Sequence, residues 1–175
     1  MKPRTLEEKV SHLMDRAEIA DVIGRYTYGM DSRDWKLFRT CWTDQISLDF
    51  TDIDMIEEPI TSIRADTYVE LLMAFFANMP RSQHLKVPVR YEFDDDKAVV
   101  FAFMQGKHWM PNSTGGPLQT VVGYYRDEFV RTENGWKMSG MKELVYWNEG
   151  NGHVLVDNLQ RMLAVLKEVG PQSGA

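Results

Sequence analysis

The 175-residue chain has a single cysteine, Cys41. One thiol excludes an intramolecular disulfide framework and a thiolate metal cluster. Cys41 lies between Thr40 and Trp42, in an apolar stretch with no base near it in sequence. It therefore reads as a small buried hydrophobe rather than a nucleophile. Positive charge is also scarce: 20 Lys and Arg against 26 Asp and Glu give a net charge of −6. No basic run interrupts that average, so nucleic acid and anionic membrane are not expected as partners. No apolar run approaches the roughly 20 residues that span a bilayer. The opening MKPRTLEEKV lacks the apolar centre of a secretory leader. Cytoplasmic residence is the expectation. Repeats, low-complexity tracts and internal linkers are missing too. The length suits one domain over 1–175, with the polar tail GPQSGA (170–175) as a fraying end.

What is present is ordinary for a globular core, with 43% apolar residues, and it is ordered along the chain. Leu13, Ile19, Val22, Ile23, Tyr26 and Met30 recur at threes and fours, which predicts a helix over Thr5–Met30 stopping near Gly29 and Asp31. A short helix is predicted over Asp34–Trp42, a strand through Ile46, Leu48 and Phe50, and a third helix over Ala65–Asn78 before Pro80. Beyond residue 82, four long strands are predicted: Leu85–Phe93, Ala98–Met110, Leu118–Arg131 and Trp136–Trp147. Asp94-Asp95-Asp96 and Glu133-Asn134-Gly135 serve as turns, and a helix over Val154–Val169 closes the chain. Helices followed by a run of antiparallel hairpins make an α+β domain. A sheet of this kind can curl around the early helices and leave an apolar cavity at its open end. The three adjacent aspartates are a solvated turn, since they cannot converge on one ion, and no metal site is expected.

Four histidines carry the candidate proton chemistry: His12, His84, His108 and His153. His12 lies among charged residues and His153 at a helix start, so both are read as solvent-facing. His84 and His108 fall on strands, where an imidazole can point into a cavity and transfer protons near neutral pH. A satisfied structural histidine is the bland alternative. Asp31 directly follows the apolar helix face containing Tyr26, Tyr28 and Met30. It reads equally as a helix cap and as a carboxylate that orients an imidazole. Strict alternation puts His84 on the strand face opposite Leu85, Val87 and Val89. If that row lines the cavity, His84 points away from it, unless the row is instead buried under a partner subunit or a bulge near Pro88 reverses the phase.

The stretch EIADVIGRYTYGMDSRDWKLFR (18–39) resembles the first two helices of the scytalone dehydratase-like, or SnoaL-like, family. Asp31 and Asp34-Trp35 match that pattern. RSQHL (81–85) resembles the family's histidine-bearing strand, and WKMSGMK (136–142) followed by Trp147 its last strand. The resemblance implies a cone-shaped curved antiparallel sheet packed with N-terminal helices, the nuclear transport factor 2-like α+β barrel, around one deep pocket. It implies His84 as general base and later acid, Asp31 as its orienting carboxylate, Tyr26 as a further catalytic group and His108 as a second pocket histidine. Where scytalone dehydratase has tyrosines, this chain has Met30 and Phe50; two polar residues on the third long strand become Gly123 and Tyr125. The implied pocket is therefore apolar, with Tyr28, Met30, Phe50, His108 and Tyr125 as candidate substrate contacts for a hydrophobic, even polycyclic, molecule. The implied activity is that of a cofactor-independent dehydratase acting beside a carbonyl. An isomerase or cyclase using the same pair and a non-catalytic binding module are the alternatives. Association through the outer sheet face is implied as well, as a homo-oligomer with a trimer favoured over a dimer.

Overall fold

Thr5 and Glu8 start the first helix. The Thr5 hydroxyl accepts the Glu8 N–H at 3.1 Å, and the Glu8 carboxylate accepts the Thr5 N–H at 3.0 Å. This reciprocal cap satisfies two donors that the first turn would otherwise leave open. In the computed structural model, which describes residues 5–53 and 55–169, α1 runs Leu6–Ser32. The tail at 170–175 lies outside the described residues. Ile19, Val22, Ile23, Tyr26 and Met30 are buried as their spacing predicts, whereas Leu13 is exposed: at this end of α1 it is His12 and Asp15 that meet the sheet, at Phe93 and Trp136. Gly29 does not stop the helix. A Cβ there would meet the Phe38 nitrogen at 2.9 Å, so glycine lets α2 (Trp35–Thr40) pack close against α1. The stop falls at Arg33, which adopts a left-handed φ of 61°.

The strands are β1 (Trp42–Asp49), β2 (Ile60–Arg64), β3 (Arg81–Asp94), β4 (Lys97–Trp109), β5 (Leu118–Thr132) and β6 (Gly135–Gly150), joined by α3 (Ala65–Phe76) and followed by α4 (His153–Val169). They form one curled sheet in the order β2-β1-β6-β5-β4-β3. The predicted α+β class and all four long strands are present. One expectation of an all-antiparallel sheet is corrected: β1 runs parallel to β6. Trp42 opens β1 instead of closing α2, and β2 is an additional short strand. No described helix is long and apolar enough to cross a membrane.

Phe38, Trp42 and Tyr68 gather around Tyr26, with Tyr26–Phe38 ring centroids 5.1 Å apart and Trp42–Tyr68 5.4 Å apart. Cys41 lies among them, fully buried, with its thiol pushed up to about 11 by burial, as expected for a residue that only fills space.

The phase of β3 decides which way His84 points. Leu85, Val87 and Val89 form the outer row and are 52%, 56% and 49% exposed, while His84 and Lys86 face inward. The pairing passes from Pro88↔Ala102 to Arg90↔Phe101, leaving Val89 as an extra residue. That bulge reverses the alternation, so beyond it Tyr91 and Phe93 turn inward.

Candidate active site

Asp31 sits in the last turn of α1, where the helix meets edge strand β3. Its Oδ1 lies 2.6 Å from His84 Nδ1 and accepts the Ser82 hydroxyl at 2.8 Å. Its Oδ2 accepts the His84 backbone N–H at 2.6 Å. One carboxylate thus holds both the ring and the backbone of the same residue. With Nδ1 donating to a carboxylate, Nε2 carries the lone pair. Burial alone would raise the Asp31 carboxyl, but the His84 and Ser82 hydrogen bonds outweigh it and hold the group below the ordinary carboxylate range.

Arg33 supports the arrangement. Its guanidinium donates to the Met30 carbonyl at 2.6 Å, the Met79 carbonyl at 3.0 Å and Ser82 Oγ at 2.9 Å. It also lies over the Phe76 ring at 4.1 Å. The left-handed turn at Arg33 places this side chain back against the helix end that carries Asp31.

The free edge of His84 lines an apolar cavity of about 100 Å³, walled by β3–β6 and covered by α3, α4 and the segment after β1. That is smaller than the cavity of about 150 Å³ known to hold benzene, so the space takes at most one ring. On α4, Leu155, Leu159 and Met162 recur at helical spacing and face it. His108 stands beside His84, ring centroids 5.2 Å apart, and its Nδ1 lies 3.2 Å from Gln119 Oε1. Burial, with His84 adjacent, pushes His108 down to about 3, so its imidazole is neutral.

Seven of the residues singled out in the sequence meet here. His84, His108, Tyr26, Met30, Phe50 and Tyr125 line the cavity, and Asp31 holds His84 from behind. Tyr28 is corrected: it lies on the outer face of α1, 66% exposed, because two helical residues turn the side chain through about 200° from Tyr26. His153 is exposed, and His12 packs edge-on against Phe93 at 4.8 Å.

A second polar group went unread in the sequence. Lys86, two residues after His84, is buried with Nζ 2.9 Å from both Asp127 carboxylate oxygens. It lies 4.3 Å from the Tyr26 ring centre and 4.2 Å from that of Tyr125. Tyr125 donates to Glu143 Oε2 at 3.3 Å. Burial pushes Glu143 up to about 7 and raises the Tyr26 and Tyr125 phenols well above their ordinary range, so both phenols are neutral donors. The only signal in sequence was even spacing: Lys86, Asp127 and Glu143 each fall in phase with inward-facing neighbours. Among the described residues, no group of three or more His, Cys, Asp or Glu side chains is arranged to hold a metal ion.

This architecture is the nuclear transport factor 2-like α+β fold. Within it the chain belongs to the SnoaL-like domain family, whose sequence model matches residues 11–142. The Kfla4162 protein of Kribbella flavida is 30% identical, with a TM-score of 0.77 over 82% of this chain and 98% of its own. The LinA-type3 hexachlorocyclohexane dehydrochlorinase of Novosphingobium barchaimii is 17% identical, TM-score 0.66, over 82% of this chain and 94% of its own. A Novosphingobium aromaticivorans protein provisionally described as a scytalone dehydratase is 14% identical, TM-score 0.70, over 82% and 91%. These last two share the fold. No curated protein matches the chain in sequence.

Proposed function

We propose that this protein is a cofactor-independent cytoplasmic lyase of the dehydratase type, with His84 as its general base. The carrying observation is the 2.6 Å hydrogen bond from His84 Nδ1 to Asp31, behind a ring whose other edge lines an apolar cavity. A binding module gains nothing from an oriented imidazole in its pocket, whereas proton abstraction from carbon requires a positioned base, which this imidazole supplies.

In this reading Nε2 takes a proton from the carbon beside a carbonyl, and the electron pair moves into an enolate. The enolate collapses and expels hydroxide from the next carbon. The imidazolium returns its proton to that leaving group, which departs as water. Asp31 keeps the ring in the donating-Nδ1 tautomer and stabilises the imidazolium. Tyr26 is a neutral phenol in the same pocket, suited to polarising a substrate oxygen. Two structural relatives bear the names of eliminations, a dehydrochlorination and a dehydration.

The test is a panel of single-ring β-hydroxy ketones assayed for enone absorbance and loss of water by mass. His84→Ala is expected to lower turnover by about 10² or more with the fold intact by circular dichroism. Undiminished turnover in that variant would overturn the assignment. Deuterium exchange at carbon without loss of water would move the reading to an isomerase or cyclase.

The exposed outer row Leu85, Val87, Val89 with Phe103 is, we further propose, the surface by which copies of this chain associate, a trimer being favoured.

A further inference from the structure

The pocket contains a second carboxyl group that the base mechanism does not use. Glu143 on β6 lines the same cavity as His84 on β3, with two strands between them. Its level in the sheet is that of Tyr125, Ala102 and Pro88, four residues along β3 from His84. Tyr125 donates to Oε2, and among the described residues that is the carboxyl group's one hydrogen bond. Oε1 is left without a protein partner in a group that borders the cavity.

Charge accounting decides which form Glu143 takes. The nearby cation, Lys86, is committed to Asp127, 2.9 Å from both of its oxygens and fully enclosed. The pair is already neutral, and no second cation hydrogen-bonds Glu143. An unpaired carboxylate in this enclosed space would carry a large desolvation cost, so Glu143 keeps its proton well above the ordinary carboxylate range. Its ionisation, pushed up to about 7 by burial, agrees with that geometry. A neutral carboxylic acid is a hydrogen-bond donor, and a buried one held in this form is a known device for stabilising an enolate.

We propose that protonated Glu143, steadied by Tyr125, donates a hydrogen bond to the carbonyl oxygen of the substrate, so that the pocket selects compact single-ring ketones with the oxygen at Glu143 and the acidic C–H at His84. The assignment rests on the lyase reading for its role in turnover: as His84 takes the proton, the electron pair left at the carbon moves onto the oxygen that Glu143 holds. Both groups border one cavity of about 100 Å³.

The test uses binding, not turnover, with 2-cyclohexen-1-one and cyclohexene as probes of equal ring size. The wild-type protein is expected to bind the ketone at least about tenfold more tightly by ligand-observed NMR. The bound carbonyl stretch, read on the ¹³C=O-labelled ketone, should shift to lower frequency. Glu143→Leu should equalise the two probes and abolish the shift; His84→Ala should keep both effects even where it removes turnover. Glu143→Gln, whose amide still donates, should keep part of the preference. In the unaltered protein the preference should fade as pH rises through the ionisation of Glu143, whose charged or titratable neighbours are Tyr125, Lys86, Asp127, Asp52, Tyr26 and Tyr68. No ketone preference in the wild type, no saturable binding of either probe, or an unchanged preference in Glu143→Leu overturns the proposal. Loss of turnover in His84→Ala with no ketone preference anywhere would leave the lyase reading standing and this one refuted.

Discussion

Gly106 lies directly opposite His84 across the β3–β4 ladder, and the missing side chain is what leaves the imidazole open to the cavity. A Cβ on Gly106 would stand 3.2 Å from His84 Cδ2, 3.3 Å from its Nε2 and 3.2 Å from His108 Cε1. An alanine asks two rings to give by a few tenths of an ångström. A valine asks for more than the wall can give. Gly106→Val is expected to cost about 1–3 kcal/mol of stability through overpacking. It should lower turnover by about 10² through displacement of the base. Urea unfolding and steady-state rates check the two effects separately.

The Lys86–Asp127 pair is costly to break and cheap to remove whole. Lys86→Met alone leaves the Asp127 carboxylate buried without its cation and is expected to destabilise by about 3–5 kcal/mol. The double variant Lys86→Met, Asp127→Leu should recover most of that loss. Equal destabilisation of the single and double variants in chemical unfolding would rule out this account.

Two buried groups tilt the pH dependence of stability in opposite directions. His108 is held neutral down to about 3, against an ordinary value of 6.5. The unfolded chain therefore takes a proton that the folded one refuses, and this stability is lost as pH falls from 6.5 toward 3. Glu143 is held protonated up to about 7, against an ordinary value of 4.5, so its contribution is present at low pH and lost as pH rises between them. His108→Gln should flatten the acid limb of stability against pH, and Glu143→Gln should flatten the decline toward neutrality. Unfolding midpoints in urea from pH 4 to 8 read both slopes, and variants that leave the wild-type curve unaltered would contradict the assignments.

The outer row of β3 predicts assembly. Val87 and Phe103 are paired across the ladder, and each is more than half exposed in the single chain. Light scattering behind size exclusion should give a homo-oligomer for the wild type and a smaller species for Val87→Glu with Phe103→Glu. A monomeric wild type at micromolar concentration contradicts the proposal.

The helices and four long strands were legible because their apolar spacing is regular and their turns carry Gly, Asn or Asp. Asp31 and His84 were legible as a possible pair through local resemblance, not through periodicity. The outward row Leu85, Val87 and Val89 misdirects a reader who assumes that apolar residues face in, and the structure gives that row to the outside. Lys86, Asp127 and Glu143 were missed for the converse reason: charged residues on strands are ordinarily assigned to solvent, and only partners on other strands make their burial tolerable. Tyr28 stands near Tyr26 in sequence, which on a helix is not nearness in space. The short β2 follows Glu57-Glu58-Pro59, and five residues are too few for alternation to stand out. The parallel pairing of β1 with β6 joins segments about ninety residues apart, a separation over which local pattern carries no register.

The bond from the His84 amide to Asp31 has a meaning apart from chemistry. β3 is the rim of the sheet, and an unpaired amide there is an invitation for another chain to add a strand. Asp31 occupies that amide with a side chain and so helps to guard the rim against aggregation. Asp31→Asn keeps an oxygen able to accept the amide, whereas Asp31→Ala leaves it bare. The two substitutions should therefore part company in solubility on storage, even where both extinguish the same activity.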